Sequence, residues 1–372
     1  MDTLKLMCVV GARPNFMKFA AIADAIDAHN LAKRKPYIER ILIHTGQHYD
    51  KNLSDTFFRE LKLPRPDVNL NVGSGSHAWQ TAEVMGKIEP VLLEHKPDLL
   101  LVVGDVNSTL ASALVASKIG VKVAHVEAGL RSFDRTMPEE INRVLTDAIS
   151  DLLFTTERSA EGNLLREGIP SEKIHFVGNT MIDTLLEHKK NAETSMILEQ
   201  LGRKKQEYAV LTLHRPSNVD DPASLREIFE GLNEISERIP IMFPVHPRTR
   251  KGMDREGLVL SSKMILCEPL GYLDFLKLIA ESRFVLTDSG GIQEETTVLG
   301  VPCLTIRENT ERPVTLTQGT NTLVGVNKRK MIEESLKILD GVSREHRIPE
   351  LWDGKAAERI VEVVVRYFES QG

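Results

Sequence analysis

Residues 286–302 read LTDSGGIQEETTVLGVP, an apolar run that stops at two glycines and resumes as a carboxylate-bearing helical segment. In an α/β chain this is a buried strand leaving its sheet and entering a helix, whose first N–H groups have no partner inside it. Ser289, Gly290 and Gly291 present such groups with little side-chain bulk, where the helix macrodipole also favours negative charge, so the turn suits a diphosphate. Glu294 and Glu295 follow about one turn later, roughly 6 to 8 Å along the axis, a depth suited to accepting hydrogen bonds from ribose hydroxyls. An ordinary strand-to-helix turn with an acidic first turn has the same residues, so the rest of the chain must discriminate.

The pattern recurs. Residues 4–10 form an apolar run that ends at Gly11-Ala12-Arg13-Pro14 and continues with helical periodicity in FMKFAAIADAIDAH. ERILIHTG, PDLLLVVGDVNSTLASALVASKIG and VKVAHVEAG repeat the alternation, followed by short strands in DLLFTTE and KIHFVGNT. After the charged stretch EHKKNAETSMILEQLGRKKQE it starts again with YAVLTLHR, IPIMFPVHP, MILCEPL, RFVLTDSGG and VPCLTIRE. With 372 residues, 41% of them hydrophobic and only 5% aromatic, the chain has the size of two α/β domains and the Leu/Val/Ile/Ala cores of parallel sheets. The expectation is an α/β protein of two doubly wound, Rossmann-like domains, 1–183 and 184–353, facing a central cleft. A final helix within 354–372, with Ile360, Val364 and Phe368 on one face, packs back on the first domain.

A net charge of −6 with interspersed signs points away from nucleic acid and from a polybasic membrane patch. Cys8, Cys267 and Cys303 lack the spacing of a disulfide framework or zinc site. No apolar stretch reaches the ~18 residues of a membrane span, and LKLMCVV meets GARP too soon for a signal peptide. These features describe a soluble protein of a reducing cytoplasm, without membrane partner.

Ionisable side chains collect just after the apolar runs, where open α/β sheets bind ligands. They are Arg13, Lys18, His44, His48, Asp105 and Glu127 in the first half, and His214, Arg215, His246 and Asp288 in the second. Each has a plainer reading: Arg13 in a surface ion pair, Lys18 on a solvated helix face, Asp105 as the N-cap of NSTLASAL, Glu139 and Arg143 as an i,i+4 pair. Glu127 fits a plain reading least, because a carboxylate within VKVAHVEAGL needs a partner or a cleft. His44 and His48 have no accompanying carboxylate motif, so no metal site is expected.

Ten motifs in order are GARPNFMKFA, TGQHYD, VVGDVNSTLA, HVEAGLRSFD, MPEEINR, VGNTMIDTLL, LTLHRPSNVD, FPVHPRT, LTDSGGIQEE and ENTERPV. From about residue 4 to 330 the chain resembles the non-hydrolysing UDP-N-acetylglucosamine 2-epimerases. That resemblance implies a glycosyltransferase-B type architecture, a homodimer, a UDP-sugar substrate, and no metal or nicotinamide cofactor. It implies that Arg13 and Lys18 approach the phosphates and that Asp105, Glu127, Glu139 and His214 surround the sugar, supported by Arg143. Ser289, Gly290 and Gly291 match the diphosphate cradle, Glu295 the ribose contact, Arg312 a further substrate contact, and Leu270 and Phe275 the uracil pocket. Gln47, Arg215 and His246 correspond to a regulatory UDP-N-acetylglucosamine site found in bacterial relatives.

The resemblance also implies the reaction, inversion at C2 through loss of UDP to a 2-acetamidoglucal and its return. An acid and a base are expected among Asp105, Glu127 and Glu139. LNVGSGSH stands where some members carry Arg-Gln in the regulatory site, and with HRPSNVDD it is similar to relatives acting on 2,3-diacetamido uronates. A modified UDP-hexosamine is therefore the alternative substrate, and a UDP-sugar transferase of the same architecture the alternative reaction.

Overall fold

The computed structural model describes residues 2–46, 63–342 and 344–370, and divides into two compact units, Met1–Thr184 with Glu350–Gly372, and Leu185–Pro349. The first is built on seven strands: β1 Thr3–Val10, β2 Tyr37–His44, β3 Val68–Asn69, β4 Leu99–Val103, β5 Lys122–Ala128, β6 Leu152–Thr155 and β7 Ile174–Phe176. Their order is β3-β2-β1-β4-β5-β6-β7, with every pairing parallel. The second unit has β8 Ala209–Thr212, β9 Ile241–Pro244, β10 Met264–Cys267, β11 Phe284–Thr287, β12 Cys303–Thr305 and β13 Asn321–Leu323. These are ordered β10-β9-β8-β11-β12-β13, again parallel.

The uninterrupted apolar runs account for this choice, since strands covered by helices on both faces have no polar side to alternate with. All five residues of β4 are at most 1% exposed, and each such side chain stabilises the fold by about 1.5–3 kcal/mol. One face of the first sheet packs Met7, Val9, Leu100 and Val102 against Val84, Ile88 and Leu92 of the helix His77–His95. In the second unit Leu211, Phe243 and Leu286 pack against Leu225, Phe229 and Leu232 of the helix Pro222–Ser236.

Each sheet reverses its winding direction once, between β1 and β4 in the first and between β8 and β11 in the second. Strand ends flanking such a reversal diverge and leave a crevice. β1 and β4 deliver Lys18 and Asp105 to the first reversal, and β8 and β11 deliver His214 and Asp288 to the second.

Residues 350–353 go with the first unit because of Trp352, which is 2% exposed and donates its Nε1–H to the Thr156 carbonyl at 2.9 Å. The helix Ala356–Glu369 follows and packs on the helix Arg13–Leu31. Asp183 holds its start, accepting from the N–H groups of Ala356 at 3.1 Å and Ala357 at 2.7 Å. Burial pushes the Asp183 carboxyl up to about 6, against those two donors.

Candidate active site

In the first unit the chemistry gathers around the ends of β1, β4 and β5. Gly104, with φ +70°, ends β4 by turning sharply, and its N–H donates to the Val126 carbonyl at 3.0 Å. A Cβ there would lie 3.1 Å from Asn15 Nδ2, 3.4 Å from a Glu127 carboxylate oxygen and 3.6 Å from Lys18 Nζ, so the turn closes directly onto those side chains. Asn15 braces the same corner through a 2.5 Å bond to the Val103 carbonyl. Lys18 and Glu127 form an ion pair, both buried. The solvated-face reading of Lys18 is therefore replaced: its ammonium group neutralises Glu127.

Glu127 sits where β5 loses register with β6, between Val126 and Ala128, and its φ is +74°. A β-bulge re-aims a side chain, and a left-handed backbone at a non-glycine residue costs about 1–3 kcal/mol, a strain that concentrates at functional sites.

Asp105 does not cap the helix Asn107–Lys118, whose N-cap is Val106. Its Oδ2 instead accepts from Arg143 Nε at 3.0 Å and Nη2 at 2.7 Å. The i,i+4 pairing of Arg143 with Glu139 is also corrected: among the described residues Arg143 turns its other branch to Glu140, 2.6 Å away. Glu139 stands half-buried in the first turn of the helix Pro138–Ile149. Arg13 opens the helix Arg13–Leu31, but its side chain, like Gln47 and His48, lies outside what is described.

The second unit places His214 just beyond β8 and Asp288 just beyond β11. Asp288 Oδ2 accepts from the N–H groups of His214 at 2.9 Å and Arg215 at 2.8 Å, and its Oδ1 lies 2.9 Å from His214 Nδ1. Burial works hardest against the Asp288 charge, but the facing His214 ring and the two backbone donors outweigh it and hold the carboxyl below its ordinary range. With Nδ1 engaged and the side chain 43% exposed, His214 offers its other nitrogen outward.

Ser289 is the N-cap of the helix Gly290–Leu299, and its N–H already donates to Thr287 Oγ1 at 2.9 Å. The donors left to a diphosphate are thus those of Gly290 and Gly291 with the Ser289 hydroxyl, a correction to the three backbone groups expected. Gly290 is indispensable for space, since a Cβ would come within 2.5 Å of Arg312 Nη1 and 2.9 Å of Glu311 Oε1. Arg312 is buried between Glu294, 2.7 Å from its Nε, and Glu311, so Glu294 is taken up in an ion pair rather than left for a ribose.

Arg215 joins this cluster through Nε to the Asp288 carbonyl at 2.9 Å and lies 3.6 Å from Glu311. His246 is exposed, caps the helix Pro247–Glu256 by accepting from Arg248 N, and lies with its ring 6.1 Å from that of His214. Leu270 and Phe275 flank the start of the helix Tyr272–Ala280, both partly buried against the β8–β11 core.

Glu295 is 5% exposed, with the Tyr272 hydroxyl 3.5 Å away. Burial first, then the neighbouring Glu294, pushes its carboxyl up to about 8 from an ordinary 4.5. Between those values the folded protein keeps a proton that the unfolded chain releases. Its contribution to stability is therefore complete below the ordinary value and lost as the pH rises through the folded one. Glu295→Gln, which cannot ionise, is expected to show a smaller fall in Tm between about pH 6 and about pH 9 than the unaltered protein; equal falls in thermal unfolding would remove Glu295 as the responsible group.

Three contributors have no assigned role in the sequence analysis, which places Asp288 among the strand-end residues and gives Glu140 and Asn142 no place beyond the motif MPEEINR. Glu140 supports Arg143 and also accepts from Ser132 N and Phe133 N. Asn142 donates to the Asp105 carbonyl at 2.9 Å. Asp288 orients His214. The signal for the first two was helix phase, which the sequence presents backwards. The helix Pro138–Ile149 buries Glu140, Asn142, Arg143 and Asp147 while leaving Ile141 and Leu145 41% and 46% exposed.

Among the described residues no group of three His, Cys, Asp or Glu is placed to hold a metal ion, and no helix is long and apolar enough to cross a membrane.

The family model described as UDP-N-acetylglucosamine 2-epimerase matches residues 30–365. The chain is 46% identical to the UDP-N-acetylglucosamine 2-epimerase of Methanocaldococcus jannaschii, over 97% of this chain and 99% of that protein. It is 42% identical to the UDP-2,3-diacetamido-2,3-dideoxy-D-glucuronate 2-epimerase of Pseudomonas aeruginosa, over 98% and 100%. The crystal structure of the Methanocaldococcus enzyme in complex with UDP-GlcNAc and UDP superposes with a TM-score of 0.90, covering 98% of this chain and all of that one.

Proposed function

The chain belongs to the UDP-N-acetylglucosamine 2-epimerase family, and from that premise we propose that it inverts C2 of UDP-N-acetylglucosamine, giving UDP-N-acetylmannosamine, by elimination and return of UDP. The C2 proton has no adjacent ketone to acidify it. Departure of UDP with the C1–O electron pair as a base takes that proton leaves a C1=C2 double bond, the 2-acetamidoglucal. Attack of a β-phosphate oxygen on C1, with a proton delivered to the other face of C2, completes the inversion with atoms and charge balanced.

The observation that carries this reading is that two carboxylates at the first switch point are each held against a buried cation, Asp105 by Arg143 and Glu127 by Lys18. An ionised carboxylate is what proton abstraction requires, and positioned acid–base groups contribute about 10² to 10⁴ each. Glu139, with no cation beside it among the described residues, is assigned as the acid. Gly290, Gly291 and the Ser289 hydroxyl are assigned to the leaving diphosphate, as is Arg13 on the strength of the sequence motif alone. His214, oriented by Asp288, donates to the departing oxygen. Glu295 is assigned to the ribose, Leu270 and Phe275 to uracil, and Arg312 keeps the cradle in shape.

A second substrate, a UDP-2,3-diacetamido uronate, is favoured by the Pseudomonas relative, and the same acid–base pair would serve it. Arg215 is assigned to the cradle cluster in preference to a regulatory site, given its bond to the Asp288 carbonyl. We take the assembly to be a cytoplasmic homodimer. Ile141 and Leu145, outward on a polar-inward helix, and the 370 Å³ groove lined by Met85, Pro138 and Ile141 support a second copy. The experiment is to supply UDP-N-acetylglucosamine as the sole sugar and follow it by NMR. An epimer that retains UDP supports the reading; free sugar, or no reaction until an acceptor is added, overturns it.

A further inference from the structure

Asp147 lies two turns beyond Glu140 on the helix Pro138–Ile149 and is fully buried. Its Oδ1 is 2.6 Å from His125 Nδ1, and its Oδ2 accepts from Gly129 N at 3.0 Å and from Arg131 Nη2 at 2.7 Å. His125 and Gly129 stand two residues to either side of Glu127. One carboxylate therefore grips both shoulders of the bulge in which Glu127 holds its left-handed backbone. The second nitrogen of His125, Nε2, is 2.9 Å from the carbonyl oxygen of Gly104, the residue before Asp105. The same ring is thus tied to the backbone beside both carboxylates placed in the reaction, directly at Gly104 and, through Asp147, at Gly129.

Both partners of His125 are acceptors. A backbone carbonyl has no hydrogen to give, and Asp147, whose Oδ2 accepts from Gly129 N and from the buried Arg131 guanidinium, is placed as a carboxylate, which only accepts. A neutral imidazole has one N–H and one bare nitrogen, so it would leave either the carbonyl or the carboxylate facing a lone pair in a site with no solvent exposure.

We propose that His125 is an imidazolium protonated on both nitrogens, a positioning residue that ties the Gly104–Asp105 turn and the Glu127 bulge to Asp147 and so fixes the two carboxylates relative to each other. Its catalytic meaning rests on the reading of Asp105 and Glu127 given above; its protonation state does not. Loss of the charge frees one of the two strand ends. The expected result is poorer alignment at the reacting carbon with little change in nucleotide binding, whose contacts other than Arg13 are assigned to the other unit.

The test has two arms. In protein labelled with ¹⁵N-histidine, long-range nitrogen–proton correlations at about pH 8, more than a unit above the ordinary imidazole value, are expected to show both nitrogens of His125 protonated; a bare ring nitrogen overturns the proposal. Asp147→Asn, which removes the counter-charge but keeps an oxygen, is expected to lower kcat at least ~10-fold in folded protein with the Kd for UDP within about twofold. A merely structural role would lower Tm and leave kcat per folded molecule alone, and that outcome also overturns it. Should Asp147→Asn not fold, the nitrogen measurement on the unaltered protein decides. If both nitrogens are protonated but the unaltered protein produces no epimer, the proposed reaction fails while the imidazolium stands; a bare nitrogen with normal turnover sinks only the present inference.

Discussion

Turnover is expected to fall at least ~10²-fold when Glu127 becomes Gln, because an amide can neither take nor return the C2 proton. The shape of the site changes little. Glutamine matches glutamate in size and can still offer an oxygen to Lys18, and the bulge that sets its direction is held by neighbours on β5. Stability will not be untouched, since removing one partner of a buried ion pair costs about 3–5 kcal/mol through the charge left behind. Two measurements separate the effects. kcat is read at a temperature where circular dichroism shows the variant folded, and Lys18→Met is then added to Glu127→Gln. The double variant removes both charges and is expected to recover part of the lost Tm without recovering turnover. Turnover in Glu127→Gln within about threefold of the unaltered protein would take Glu127 out of the chemistry.

Gly290→Ala is expected to weaken UDP at least ~10-fold, or about 1.4 kcal/mol, while Tm moves by no more than a few degrees. In an exposed helix the change would help, because alanine is the better helix former by about 1 kcal/mol. At this site the added methyl would come within 2.5 Å of the Arg312 guanidinium and 2.9 Å of the Glu311 carboxylate. Those side chains cannot simply swing aside, since Arg312 is anchored to Glu294 and Glu311 is also bonded by Arg307 at 2.7 Å. The strain falls on the first turn of the helix, where the diphosphate donors are, so affinity suffers before the fold does. Calorimetric titration with UDP checks it; unchanged affinity would move the nucleotide away from this helix end.

The fold was legible because its signals are local. Apolar runs such as LLLVV ending in a glycine turn mark parallel strands, and every strand long enough to show such a run corresponds to one in the structure. The edge strands β3, Val-Asn, and β13, Asn-Thr-Leu, hold a single apolar residue each and so carry no such run. The helix His77–His95 is masked in the sequence by the proline at position 90, a helix breaker that here lies inside it. In the site, strand-end position pointed to Asp105, Glu127, His214 and Asp288, because leaving a strand fixes where a side chain goes. Pairing was not legible. Glu139 and Glu140 are adjacent and either can meet Arg143; the outcome depends on which face of the helix is buried, and that face is the polar one. Nor can a sequence show that Glu127 holds a left-handed backbone, since the bulge arises from the register between β5 and β6.

The central claim is that a hydrogen leaves C2 and one from solvent replaces it while UDP is detached and retained. The most direct measurement is the epimerisation run in heavy water and followed by proton NMR: the expected result is UDP-N-acetylmannosamine carrying deuterium at C2. Epimer formed with its original hydrogen at that carbon would contradict the account.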